Sequence, residues 1–166
     1  MQQLFYLVPA AGVIALAYAV ITAGWVGKQD AGTTRMKNIG EQIYRGAMAF
    51  LAAEYKVLAI FVLFVAALLS YMYSTIEGGS WMVGLAFLAG AVCSGLAGYF
   101  GMRVATRANV RTAAAARIGL APALTIAFRG GAVMGMCVVG LALLGFGLLF
   151  NVFLADFDVF GLIAAN

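Results

Sequence analysis

GYFGMRVATRANVRTAAAARIGLAPALTIAFRGGAVMG, residues 98–135, begins inside one apolar run and ends inside the next. Between them it carries Arg103, Arg107, Arg111, Arg117 and Arg129 and no acidic residue, half of the ten basic side chains of the protein. Arg103, Arg107 and Arg111 stand four apart, so they form a single helical stripe continuing out of the preceding run. Ala113 to Ala116 favour helix, and Arg117 lies off the stripe. Gly119 and Pro122 then supply a stop and a restart. Leu124, Ile126, Ala127 and Phe128 lead back into apolar sequence, and Arg129 marks the boundary. The spacing predicts a basic helical turn-around between two apolar helices.

Working outward, the rest of the chain repeats this pattern. Of its 166 residues, 65% are hydrophobic and only 10% charged, and the mean hydropathy is +1.04. Soluble domains carry about half apolar and a quarter charged residues, so the chain reads as an all-α, polytopic membrane protein. Four spans are expected, at about residues 4–26, 50–73, 81–102 and 130–154, in one continuous membrane segment over 1–166. Cytoplasmic connections are expected at about 27–49 and 103–129. Each run supplies the roughly 20 residues that cross a hydrocarbon core.

The first run competes with a signal peptide, because Ala15-Leu16-Ala17 and Ala17-Tyr18-Ala19 resemble cleavage sites. Met1-Gln2-Gln3 lacks the positive start such a peptide needs, and the run is too long, so we read a retained span. Pro9 is expected within its first turns, where a missing N–H costs least. Gly32, Thr33 and Thr34 offer a turn and a helix cap ahead of Met36. From Ile39 onward, Ile43, Ala47, Phe50, Leu51 and Leu58 recur at three- and four-residue intervals, which predicts a helix running from the headgroup layer straight into the membrane. Glu41 and Arg45 can pair four apart on it. Tyr71, Tyr73 and Trp81 form an aromatic belt around a short turn at residues 74–80 whose only charge is Glu77. The spans on either side are therefore antiparallel neighbours.

All ten Lys and Arg residues lie in two stretches that face one side, Lys28–Lys56 and Arg103–Arg129, whereas Glu77, Asp156 and Asp158 lie on the opposite side. That asymmetry places the basic connections in the cytoplasm and the N-terminus outside, in a multi-pass protein of the cell (inner) membrane.

Gly90, Ser94 and Gly98 form a small-residue row in the third span, and Gly131 and Gly135 open the fourth. We read these as helix-packing positions, because close backbone approach replaces the missing hydrophobic force in lipid. A pore lining would require more polar side chains than Ser94 alone. Cys93 and Cys137, one per span and without metal-ligand spacing, read as small packing residues. Glu54 reads as a charge at the membrane edge rather than an ion ligand. The arginine stripe has the charge to meet phosphate, but without neighbouring carboxylates to hold magnesium it reads as an anchor to anionic headgroups.

No catalytic, cofactor-binding or metal-binding residue emerges. The chain has no P-loop, no histidine and no carboxylate cluster. Nucleic-acid binding is set aside, because the aromatic residues lie in the apolar runs and the arginines outside them.

Three stretches carry a resemblance: GAMAFLAAEYKVLAIF at Gly46–Phe61, GYFGMRVATRANVRTAAAAR at Gly98–Arg117, and AFRGGAVMG at Ala127–Gly135. Across residues 1–154 the chain resembles the N-terminal part of a membrane-bound, ion-pumping inorganic pyrophosphatase. The resemblance implies a bundle of about sixteen transmembrane helices, a homodimer, and hydrolysis of magnesium-pyrophosphate coupled to outward proton or sodium transport. It also implies that these four helices belong to an outer ring. The acidic motifs that hold magnesium match no position here, so magnesium is expected outside this chain. With Met1 initiator-like and residues 161–166 ending inside an apolar segment, we expect a C-terminally truncated chain, inactive alone. Its partners would be the remaining helices, a second copy and membrane lipids. An independent four-helix structural or assembly protein, or the start of another secondary transporter, is the alternative.

Overall fold

The computed structural model describes residues 2–76 and 80–156, with side chains described for 7–76 and 80–150. Glu77, Asp158 and the apolar stretch at 161–166 lie outside the described residues. Every element among those described is an α-helix: α1 (Gln2–Lys28), α2 (Thr34–Ser74), α3 (Met82–Ala116) and α4 (Leu120–Asp156).

All four are long and apolar enough to cross a membrane. Three are much longer than a crossing requires. The 41 residues of α2 extend about 61 Å at 1.5 Å per residue, against a hydrocarbon core of about 30 Å. The expected connections at 27–49 and 103–129 are therefore mostly helix. Only residues 29–33 and 117–119 interrupt it, so the helices project together at the basic end of the bundle.

Each break has a local cause. Gly32 adopts φ 78°, a conformation that a side chain disfavours. Its N–H donates to Asp30 Oδ1 at 2.9 Å. Thr33 follows as the N-cap of α2, its hydroxyl accepting from Met36 N–H at 3.4 Å, as the sequence led us to expect. At the second break the N–H groups of Ile118 and Gly119 donate to the Ala115 carbonyl at 2.9 and 3.1 Å, closing α3. Gly119 does this without a positive φ. Pro122 falls in the first turn of α4, where no helical N–H is needed. Pro9, by contrast, is the eighth residue of α1. The helix starts earlier than the first turns in which that residue was expected, so the proline lies inside it.

The helices pack as α1 on α4, α4 on α3, and α3 on α2, with a lighter contact between α1 and α3. The seam is written in small residues. α1 buries Gly12, Ala15, Ala19, Thr22 and Val26, at alternating three- and four-residue steps. α4 answers with Ala123, Ile126, Gly130, Val133, Cys137, Gly140 and Gly147 at the same steps, and α3 contributes Ala97, Gly101, Ala108 and Ala115. Such steps keep one face in contact along the length of a helix pair. At the α1–α4 crossing, a Cβ on Gly12 would lie 2.9 Å from the Gly140 carbonyl, and one on Gly140 would lie 3.0 Å from the Gly12 carbonyl. Two glycines therefore let the backbones touch, which maximises dispersion contact in a solvent as apolar as the side chains.

This seam differs from the rows read in the sequence. A Cβ on Gly90, Gly131 or Gly135 would meet nothing within 4 Å, whereas one on Gly98 would lie 2.9 Å from the Tyr55 hydroxyl. Gly131 follows the buried Gly130 directly, and Gly135 stands two past Val133. Each is thus rotated off the contacting face, and each has its own side of α4 free within this chain.

Candidate functional site

The polar architecture concentrates at the basic end, where the arginines of the α3–α4 turn-around meet the other helices. Arg111 stands nine residues beyond the expected end of the third span, about 14 Å along α3. Its guanidinium fork spans two helices. Nε donates to the Gln29 carbonyl at 3.1 Å and Nη2 to the Gly27 carbonyl at 2.9 Å, while Nη1 donates to Arg107 O at 2.9 Å on its own helix. Gly27 lies in the last turn of α1, whose final carbonyls have no helical partner and carry the negative end of the helix dipole. Arg111 thus caps α1 from α3. Gln29 supports the same terminus, its Nε2 donating to Trp25 O at 3.1 Å. Burial first, and the Arg107 charge second, pull Arg111 below the usual arginine value; it remains a cation at any physiological pH.

Two further arginines bind ring faces. The Arg129 guanidinium carbon sits 3.9 Å from the centroid of Trp25, joining α4 to α1. Arg107 sits 5.2 Å from the centroid of Tyr44, joining α3 to α2. Both contacts fall within cation–π range. Trp25 also packs against the cluster of Ala115, Ala123 and Ile126, so the ring that receives the cation is wedged at the α3–α4 turn. One arginine thus joins each of the pairs α1–α4, α2–α3 and α1–α3 at this end.

The stripe divides its labour. Arg107, Arg111 and Arg129 are held by the chain itself. The side chains of Arg103 and Arg117 make no hydrogen bond, ion pair or ring contact with the described residues, and the same is true of the side chains of Lys28, Arg35, Lys37 and Lys56. Arg45 donates to Glu41 at 2.9 Å, the expected pair, with both side chains well exposed. Ser94 faces a groove between α2 and α3. Beside it, the Tyr55 hydroxyl donates to Gly95 O at 2.6 Å.

The arrangement holds the helix ends together. Among the described residues no three His, Cys, Asp or Glu side chains converge on a possible metal position. Asp30 and Glu41 are engaged as described, and the Glu54 side chain has no partner among the described residues, so the donors do not fit a magnesium ion. Cys137 belongs to the cluster with Ala19 and Val133, and both cysteines are free thiols.

Four apolar helices of spanning length, packed through small residues and closed at one basic end, make this an integral membrane protein. Residues 13–164 match the family model described as Inorganic H+ pyrophosphatase, and the chain belongs to that family. It is 46% identical over 145 residues to a K(+)-insensitive pyrophosphate-energized proton pump of Methanosarcina mazei, covering 87% of this chain and 21% of that protein. It is 46% identical over 153 residues to a K(+)-stimulated pyrophosphate-energized sodium pump of Thermotoga maritima, covering 90% of this chain and 20% of that one. A putative sodium pump of Clostridium tetani, also K(+)-stimulated and pyrophosphate-energized, is 49% identical over 126 residues, covering 76% and 18%. The chain spans about a fifth of the length of these curated relatives.

Proposed function

We propose that the chain supplies a four-helix portion of a pump that couples magnesium-pyrophosphate hydrolysis to outward transport of protons or sodium ions. The observation that carries this reading is the identity of 46% to both a proton pump and a sodium pump over nearly the whole chain. Helices shared equally by pumps of both ions serve what those pumps have in common. We assign the choice of ion, the binding of magnesium and the activation of water to residues outside these four helices. The clasped bundle is a scaffold. Its arginine contacts keep the helix ends in register at the face where pyrophosphate is handled, which we place in the cytoplasm of a multi-pass cell (inner) membrane protein. The off-seam faces bearing Gly90, Gly131 and Gly135 would pack against the remaining helices or a second copy.

The test uses membranes from cells expressing the whole pump that contains this chain. Pyrophosphate and magnesium should drive ion uptake into inverted vesicles, with phosphate release stopping when either is withheld. The 166-residue chain alone should release none. Vesicles that neither hydrolyse pyrophosphate nor take up an ion would overturn the proposal, as would hydrolysis by the four helices alone.

A further inference from the structure

The groove between α2 and α3 has a shape and a charge that neither the packing of the bundle nor the pump reading accounts for. Its volume is about 730 Å³, and Tyr55, Leu58, Val62, Leu88, Val92 and Tyr99 are among the residues that line it. Along α3 the lining runs from Leu88 to Tyr99, about 16 Å at 1.5 Å per residue, close to one leaflet of a hydrocarbon core about 30 Å thick. Towards the other side the helices close. A Cβ on Gly84 would come within 2.5 Å of the Ala66 carbonyl, and there the Ser70 hydroxyl donates to Trp81 O at 3.2 Å. The groove thus ends where α2 and α3 close at Gly84, and its lining runs from there towards the basic end. A spanning helix needs both leaflets; one acyl chain needs one.

The mouth carries the matching charge. Tyr55 and Tyr99 line the groove towards this end, with the Tyr55 hydroxyl donating to Gly95 O on α3 at 2.6 Å. Arg103 lies one helical turn beyond Tyr99 on the same face of α3. It is half-buried, and its guanidinium has no partner among the described residues. No carboxylate among the described residues forms an ion pair with it, so Arg103 is an unpaired cation beyond the end of the lining.

We propose that this groove seats one acyl chain of an anionic phospholipid from the leaflet on the basic side, with Arg103 holding its phosphate. The guanidinium matches phosphate oxygens in a planar fork. The assignment is independent of which compartment the basic end faces, since groove mouth and charge lie at the same end.

Native mass spectrometry of the whole pump, released from micelles doped with phosphatidylglycerol or phosphatidylcholine, tests it. The unaltered protein should retain phosphatidylglycerol in preference. Arg103→Gln should weaken that retention about fivefold, the ratio for one basic residue near an anionic surface, and Arg103→Lys should restore most of it. Ala91→Phe, which fills the groove without changing charge, should lower retention of both lipids, whereas Arg35→Gln on exposed α2 surface should change neither. Helicity and melting temperature of each variant separate lost binding from lost folding, and the Lys and Gln pair at Arg103 decides the matter even where the Phe variant fails to fold. Equal retention of the two lipids, or an Arg103→Gln protein that binds like the unaltered one, overturns the proposal. So does a cross-link from Ala91→Cys to a helix outside this chain, which would show that protein fills the groove.

Discussion

Removing the Arg111 fork should loosen α1 from the bundle more than any other single change at the basic end. Arg111→Gln deletes two bonds from α3 to the terminal carbonyls of α1. A hydrogen bond to a charged group contributes about 1.5–3 kcal/mol net. The bond to Gln29 is partly buried and counts near the lower figure, while the exposed bond to Gly27 exchanges readily with water and adds about 0.5 kcal/mol. The cation at a helix C-terminus adds about 0.3–1 kcal/mol. Together the loss should be about 2–3 kcal/mol. Equilibrium unfolding in mixed micelles, followed by circular dichroism, measures it directly. Arg111→Lys should recover at most half, because a single ammonium cannot reach carbonyls on two residues in the fixed geometry of the fork. Arg117→Gln, which removes an exposed arginine with no partner, should stay within about 0.5 kcal/mol of the parent. An Arg111→Gln protein as stable as the Arg117→Gln protein would show that the fork does not hold α1.

Three further outcomes follow from the packing. Gly140→Val should destabilise by about 1–3 kcal/mol by overfilling the crossing with Gly12, whereas Gly135→Ala, with open space around it, should be neutral or slightly stabilising; the same unfolding assay compares them. Tyr55→Phe should cost about 0.6 kcal/mol, the typical value of a hydrogen bond between helices in a membrane, and should lower the α2–α3 contribution without touching α1. Arg129→Leu should cost about 1–2 kcal/mol through the lost cation–π contact, and in a Trp81→Phe background the emission of Trp25 should change.

The residues that announced themselves in the sequence were those whose signal is local. Four apolar runs, the Thr33 cap and the Glu41–Arg45 pair are each contained within a few consecutive positions. The seam was less visible because a helix that is apolar all round gives no amphipathic contrast between buried and lipid-facing sides. Gly130 and Gly131 look alike in the sequence, yet one is buried at the α3 contact and the other is open. The alternating three- and four-residue steps through Gly12, Ala15, Ala19 and Thr22 were the available signal, and they point to the contacting face without relying on hydrophobicity.

The arginine stripe was legible as a stripe, but its division was not. Successive members at four-residue steps are rotated by about 40°. Across the width of α3, that rotation carries Arg107 to the Tyr44 ring and Arg111 to the end of α1, and leaves the Arg103 side chain without a partner among the described residues. Their partners are a ring face and backbone carbonyls contributed by distant segments, and no spacing within 98–135 encodes those.

The reading of this bundle as a pump scaffold turns on which side of the membrane its clasp occupies. Single cysteines at Thr75 and Gly119, in a chain whose Cys93 and Cys137 are replaced by alanine, settle that with a membrane-impermeant maleimide on intact cells. The cysteine at position 75 should label at once, and the one at 119 only after the membrane is opened. Labelling of position 119 in intact cells, with 75 protected, would place the arginines on the side away from pyrophosphate and contradict the proposed role.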